Sequence, residues 1–188
     1  LHVCPVGAIS TKPVKVGDLK LYERGEERFS TATLTMGSGT TGKLVSEVKK
    51  QLKDNTQETE VAILDGSPGI GCPVIASLAG VDLALMVAEP SVSAFSDLKR
   101  VISSARQLQV PVAVVVNKYD MNPTICGEIE VFCFKEGIPF LGKIPYDGQV
   151  IAALNKGENP ACLNSPASNA LKSIYSKTLQ VWKEHVRQ

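Results

Sequence analysis

The spacing of apolar residues changes near residue 40. Before it, two strand-like runs, 14–23 and 28–36, are joined by Arg24-Gly25-Glu26-Glu27. The second run alternates, with Phe29, Thr31, Thr33 and Thr35 on one face and Ser30, Ala32, Leu34 and Met36 on the other. That period of about two suits a strand with a solvated face, near a sheet edge. After residue 40, Leu44, Val45, Val48 and Leu52 recur at helical spacing. Short apolar runs then alternate with helical segments. The runs are Val61-Ala62-Ile63-Leu64, 83–88, 112–116 and Phe140-Leu141-Gly142-Lys143-Ile144. The helical segments are 73–78, 94–108, 129–135, 150–154 and 167–186. This alternation predicts βαβ units, hence an α/β fold with a mostly parallel sheet.

Each apolar run ends in a polar or Gly/Pro cluster: Asp65-Gly66-Ser67-Pro68-Gly69, Glu89-Pro90, Asn117-Lys118-Tyr119-Asp120 and Pro145-Tyr146-Asp147. Ligands of open α/β sheets bind at the carboxyl ends of the strands. The four clusters are therefore expected to converge on one edge. There is no internal repeat and no low-complexity tract.

Composition narrows the partners. The 188 residues are 44% hydrophobic and 21% charged, which excludes a disordered, collagen-like or supercharged chain. Lys and Arg total 20 against 19 Asp and Glu, a net charge of +1, so no strong field attracts nucleic acid or an anionic membrane. The five cysteines, Cys4, Cys72, Cys126, Cys133 and Cys162, include no C-x-x-C pair. Neither a disulfide framework nor a self-contained zinc site is expected, and a reducing, cytoplasmic setting is. The stretch Val74 to Ala88 is broken by Gly80 and Asp82 and falls short of the roughly 20 residues a spanning helix needs. No integral membrane segment and no signal leader are expected.

Three motifs point to chemistry. Gly37-Ser38-Gly39-Thr40-Thr41-Gly42-Lys43-Leu44 fits a phosphate loop except that Leu44 stands where a magnesium-binding hydroxyl is required. It also follows a Thr-rich alternating strand, so a glycine turn leading into a helix is the expected reading. Asp65 at the tip of an apolar strand, followed by Gly66 to Gly69, matches the magnesium-holding acid and phosphate-sensing switch of nucleotide hydrolases. Asn117-Lys118-Tyr119-Asp120 after an apolar run suits a base reader, with Asn117 on a purine edge and Asp120 able to accept from guanine. Cys72 reads as a small buried apolar residue or, alternatively, a redox thiol beside the switch.

The segments DGSPGIGCP, VAEPSVSAFSDLKR and VVVNKYD resemble the MinD/ParA/Mrp group of P-loop ATPases. GKLV ahead of the Asp65 run, FLGKIPYD late in the chain and Cys4-Pro5-Val6-Gly7-Ala8-Ile9 resemble the subfamily with an inserted 4Fe–4S ferredoxin. The resemblance covers roughly residues 1 to 160. It implies a three-layer sandwich of the SIMIBI type, with 1–12 as the tail of a ferredoxin-like domain and 13–188 as the C-terminal part of an ATPase domain. It implies that Asp65 holds the magnesium shell through water and that Ser67, Pro68 and Gly69 respond to the terminal phosphate. Asn117 would contact adenine, Pro145 would line the base pocket, and Cys4 would ligate a 4Fe–4S cluster. ATP, Mg and the cluster are the implied cofactors. An ATP-dependent homodimer or paired paralogue and a redox or iron–sulfur protein are the implied partners.

The chain begins at Leu1, inside the ferredoxin-like ending, and the family's own phosphate loop lies upstream of that insert. These residues are therefore expected to be an N-terminally truncated part of a longer ATPase, without tight ATP binding and with an unpaired strand edge of their own. Three readings stay open on the sequence. They are a magnesium-dependent ATPase coupled to an iron–sulfur module, a GTPase reading guanine through Asn117 and Asp120, and a non-catalytic ferredoxin-linked scaffold. A related amide ligase would need a glutaminase domain that the motifs do not supply.

Overall fold

The computed structural model describes residues 5, 8, 10, 12–39, 41–56 and 59–186. The chain divides into two compact units, Leu1–Asp65 and Gly66–Gln188.

The first unit is an antiparallel hairpin with one helix against it. Strands β1 (Gly17–Arg24) and β2 (Glu27–Leu34) pair from Gly17↔Leu34 to Arg24↔Glu27. The two residues between them start with Gly25 at φ +57°, the positive angle that a tight hairpin turn needs and that glycine adopts at no steric cost. Helix α1 (Thr41–Asp54) packs on the face that carries Ser30, whose hydroxyl donates to the Val48 carbonyl at 3.0 Å. The predicted alternation holds in part: Ser30, Ala32 and Leu34 are half-buried and Phe29 and Thr33 exposed, but Thr31 is half-buried as well and Met36, past the end of β2, is fully exposed. Gly17 is required there, since a Cβ would stand 2.7 Å from the Thr33 carbonyl oxygen.

The run Val61-Ala62-Ile63-Leu64, expected to be a buried strand, is irregular and exposed, with Ile63 at 84%. Apolar composition gives a segment the capacity to be a strand. The strand itself exists only with a neighbour to take its backbone N–H and C=O groups, and the described residues pair none with 61–64.

The second unit is α/β. Its parallel sheet has the order β3 (Ala84–Ala88), β4 (Val112–Asn117), β5 (Phe140–Ile144). Crossovers run through α3 (Val92–Gln107) and α4 (Pro123–Lys135), preceded by the short α2 (Cys72–Leu78) and followed by α5 (Gly148–Asn155) and α6 (Pro166–Val186). The central strand is buried on both faces, with Ala113, Val114 and Val116 at 0% exposure and Val115 at 1%. This is why it reads as a continuous apolar run rather than an alternating one. Val114 and Val116 pack with Phe95, Leu98 and Ile102 of α3 and with Cys126, Ile129 and Cys133 of α4. Ala113 and Val115 pack with Leu141 and with Ile174 of α6.

The helices start where the sequence offers caps. Ser91 accepts the Ala94 N–H at 3.1 Å, Asn122 the Ile125 N–H at 3.2 Å, and Asp147 the Gln149 N–H at 2.9 Å. A cap of this kind stabilises a helix by about 1 kcal/mol. No described helix is long and apolar enough to cross a membrane.

Candidate functional site

Three of the four predicted clusters meet at the carboxyl edge of the parallel sheet. The register places Ala88 beside Val116 and Asn117 beside Ile144. Glu89, Lys118 and Pro145 thus leave three neighbouring strands side by side. Side chains tie the loops together. Lys118 Nζ donates to Glu89 Oε1 at 2.6 Å, joining the ends of β3 and β4. The Tyr146 backbone N–H donates to Asp120 Oδ1 at 2.8 Å, joining the loops after β4 and β5. The Lys143 ammonium lies 5.4 Å from the centre of the Tyr119 ring, a second tie between β5 and the same loop.

The loop after β4 turns sharply. Lys118 takes the left-handed conformation at φ +51° and leads into a single 3-10 turn, Tyr119–Met121. That conformation costs a non-glycine residue about 1–2 kcal/mol. It is held by two contacts: Asn117 Oδ1 accepts the Lys118 N–H at 3.0 Å, and Glu89 fixes the side chain. The hydrogen bond and attraction of Glu89 raise the Lys118 pKa, so this ammonium stays charged. The Asn117 contact also orients its amide, because only the oxygen can face an N–H. Nδ2 is then directed to other acceptors.

A shallow cleft of about 410 Å³ opens beside this edge, between Glu89–Val92 and the side formed by Lys118, Met121 and Asn122. In the loop after β5, the Asp147 carboxylate is held below the usual aspartate range, first by the Ser165 hydroxyl and then by the Gln149 N–H at the start of α5.

The remaining predicted residues stand as follows. Ser67 is half-buried, and Pro68 and Gly69 are exposed, in the loop that enters α2. Gly69 has φ +87°, a conformation that favours glycine. Asp65 is the exposed last residue of the first unit. Pro145 is half-buried and Asp120 exposed. Cys4 lies outside the described residues. Gly37-to-Leu44 follows an antiparallel hairpin strand, and Leu44 is half-buried in the first unit, close to Gly17. Its described residues are a turn at Met36-Gly37 and, from Thr41, the start of α1, while Thr40 lies outside the described residues.

The cysteines separate clearly. Burial pushes the Cys133 thiol up to about 11 and raises Cys126, so both are inert packing residues. Cys72, expected to be buried, is exposed, because it opens α2 and the helix turns Val74 and Leu78 inward instead. Among the described residues no group of three or more His, Cys, Asp or Glu could hold a metal.

Sequence reasoning missed two contacts at the edge, Lys118–Glu89 and Asp120–Tyr146. The first had a signal: opposite charges directly follow two adjacent parallel strands. The second had none, because the donor to Asp120 is a backbone N–H 26 residues away.

No protein-family model matches the chain. An uncharacterized protein of Methanocaldococcus jannaschii is 31% identical over 144 residues, 77% of this chain and 48% of that protein. An iron-sulfur cluster carrier protein of Pyrococcus furiosus is 30% identical over 159 residues, covering 76% of this chain and 54% of its own length. A cytosolic Fe-S cluster assembly factor, a Nubp1 homolog of Drosophila grimshawi, is 27% identical over 108 residues, 51% of this chain and 35% of that protein. The chain spans about half the length of the first curated relatives it matches. Among solved structures, the Pyrococcus furiosus cell division ATPase MinD superposes with a TM-score of 0.62 at 17% identity, covering 79% of this chain and 63% of that one. That likeness fixes the fold.

Proposed function

The chain is a relative of the Mrp/MinD-type P-loop ATPases, and on that premise we propose that it carries the base-reading edge of an ATP-binding protein working with an iron–sulfur module. The observation that supports this most is the register of β4 and β5, which sets Asn117 beside Ile144 and so brings Pro145 next to it at the carboxyl edge. Asn117 donates through Nδ2 to a ring nitrogen of adenine, and Pro145 packs against the base. Adenine is favoured over guanine. A carboxylate that reads guanine turns both oxygens toward two neighbouring N–H groups, whereas the bond from the Tyr146 N–H to Asp120 Oδ1 holds this carboxylate against the loop after β5 and competes with that orientation.

The rest of the proposal extends to the longer protein. Ser67, Pro68 and Gly69 form the switch that responds to the terminal phosphate, with Gly69 supplying the backbone freedom its turn needs. Asp65, exposed and in a coil, suits a magnesium ion held through water, since this ion keeps several waters and takes one or two carboxylates. When bound, magnesium neutralises charge developing on the phosphate oxygens during attack by water. Asp65, Pro68 and Gly69 are the proposed catalytic set for ATP hydrolysis. Residues 1–12 end a ferredoxin-like domain and 13–188 belong to the ATPase domain, with Cys4 as a 4Fe–4S ligand. No described residues form a cluster site that would extend this step. An ATP-dependent dimer, an iron–sulfur partner protein and a cytoplasmic location complete the proposal.

Saturation-transfer NMR on the 188-residue chain with millimolar ATP or GTP tests the base site. Transfer to the adenine H2 and H8 protons that falls at least threefold in Asn117→Ala is the expected result. Equal transfer from both nucleotides, unchanged in that variant, overturns the proposal.

A further inference from the structure

We infer that Asp120 is a positioning residue that clamps the loop after β5 to the loop after β4, and does not itself read the base. The inference rests on the proposed nucleotide site and adds to it the device that sets its geometry. Three observations converge. Asp120 Oδ1 takes the N–H of Tyr146, the residue directly after Pro145, at 2.8 Å. This distance is short for an N–H to oxygen bond, and the acceptor is charged. Tyr119, its chain neighbour, has the Lys143 ammonium of β5 over its ring, so the loop after β4 is tied at two successive residues, to β5 and to the loop that follows it. Lys143 is itself braced by Glu130 of α4 at 3.4 Å.

The far end of the loop after β5 is fixed independently. Asp147 caps α5 through the Gln149 N–H. Pro145 and Tyr146 therefore lie between two anchors, one of which is Asp120. Proline has no N–H to offer and its φ is set by its ring. The amide that follows it is thus the nearest backbone donor by which the position of Pro145 can be fixed. Asp120 takes that donor. Moving the loop by one ångström would shift Pro145 relative to Asn117, which is the pair proposed to hold the base. The other end of the device is the left-handed Lys118 with its bond to Glu89. It gives the 3-10 turn the direction that aims Asp120 toward β5.

A carboxylate that contacted guanine and one that clamps a loop respond differently to an amide. Asparagine keeps an oxygen acceptor for the Tyr146 N–H but presents an NH2 group where the second carboxylate oxygen stood. Alanine removes the acceptor altogether. The test uses the 188-residue chain as wild type, Asp120→Asn and Asp120→Ala. Each is followed by amide hydrogen exchange and by ATP and GTP titration. Asp120→Ala should raise exchange at the Tyr146 amide at least tenfold and weaken ATP binding severalfold, while exchange in β4 is unchanged. Asp120→Asn should restore both to within threefold of wild type.

Unchanged protection of Tyr146 in Asp120→Ala overturns the inference whatever the nucleotide data show. Selective loss of GTP binding in Asp120→Asn with Tyr146 still protected also overturns it, because the carboxylate would then be reading the base. If Tyr146 loses protection in Asp120→Ala and regains it in Asp120→Asn, but wild type binds neither nucleotide, the clamp stands and the proposed base site fails.

Discussion

The hairpin unit ending at Asp65 and the parallel unit beginning at Gly66 bury their apolar residues to very different depths. Among the described residues of the first, none is fully buried. α1 lies on the hairpin with only half-covered side chains, and Tyr22 and Phe29 stack on each other, each more than half exposed. In the second, the four central residues of β4, Ala113 to Val116, are within 1% of complete burial. Burial removes apolar area from water at about 25 cal/mol per Å². Most of the chain's folding energy therefore resides in the second unit, and that unit carries the candidate edge. A site that depends on loops meeting within hydrogen-bond distance needs the rigid strands under it.

The largest effect expected from this contrast is Ile129→Ala. Ile129 is at 0% exposure between α4 and the sheet, so its truncation should cost about 2–5 kcal/mol. Val48→Ala in half-buried α1 should cost about 1 kcal/mol or less by the same transfer argument. Denaturant unfolding followed by site-resolved exchange reads both, and equal losses would erase the difference between the units. Next comes Asn122→Ala, which removes the cap of α4 and should lower the stability of the second unit by about 1 kcal/mol. A smaller effect depends on pH. The Asp147 pKa is lowered in the folded chain from 3.8. A depressed carboxylate stabilises above its unfolded pKa, and the contribution disappears as pH falls through the folded one. Melting from pH 5 down to about pH 2 should therefore show a shallower acid loss in Asp147→Asn than in wild type. Least of all is Ile63→Glu. At 84% exposure it should change stability by no more than about 0.5 kcal/mol. A loss of several kcal/mol would mean that the 61–64 run is buried after all.

The two units were also unequally legible in the sequence. Val112 to Val116 could be read as a buried strand because nothing but double-sided burial requires five such residues in a row. The hairpin could be read from its alternation and Gly25. Val61 to Leu64 is as apolar as the buried run, but among the described residues no strand pairs with it, and composition cannot supply one. The start of α4 lay six residues earlier than the apolar spacing indicated, at Pro123. Asn122-Pro123 is itself a helix-start signal, in which the asparagine caps and the proline fills the first turn. The candidate edge was visible as polar clusters after apolar runs, and three of them do meet. The function of Asp120 was not visible. A four-residue string suggests what a carboxylate could read, but its actual acceptor role is decided by a loop on the next strand.

The most direct test is an amide-resolved titration of the 188-residue chain with magnesium ATP and magnesium GTP. Shifts centred on Asn117, Lys118 and Tyr146, larger with ATP than with GTP, are the expected result. Shifts centred on Gly37 to Gly42, or none at the carboxyl edge with either nucleotide, would contradict the assignment of the base site to the ends of β4 and β5.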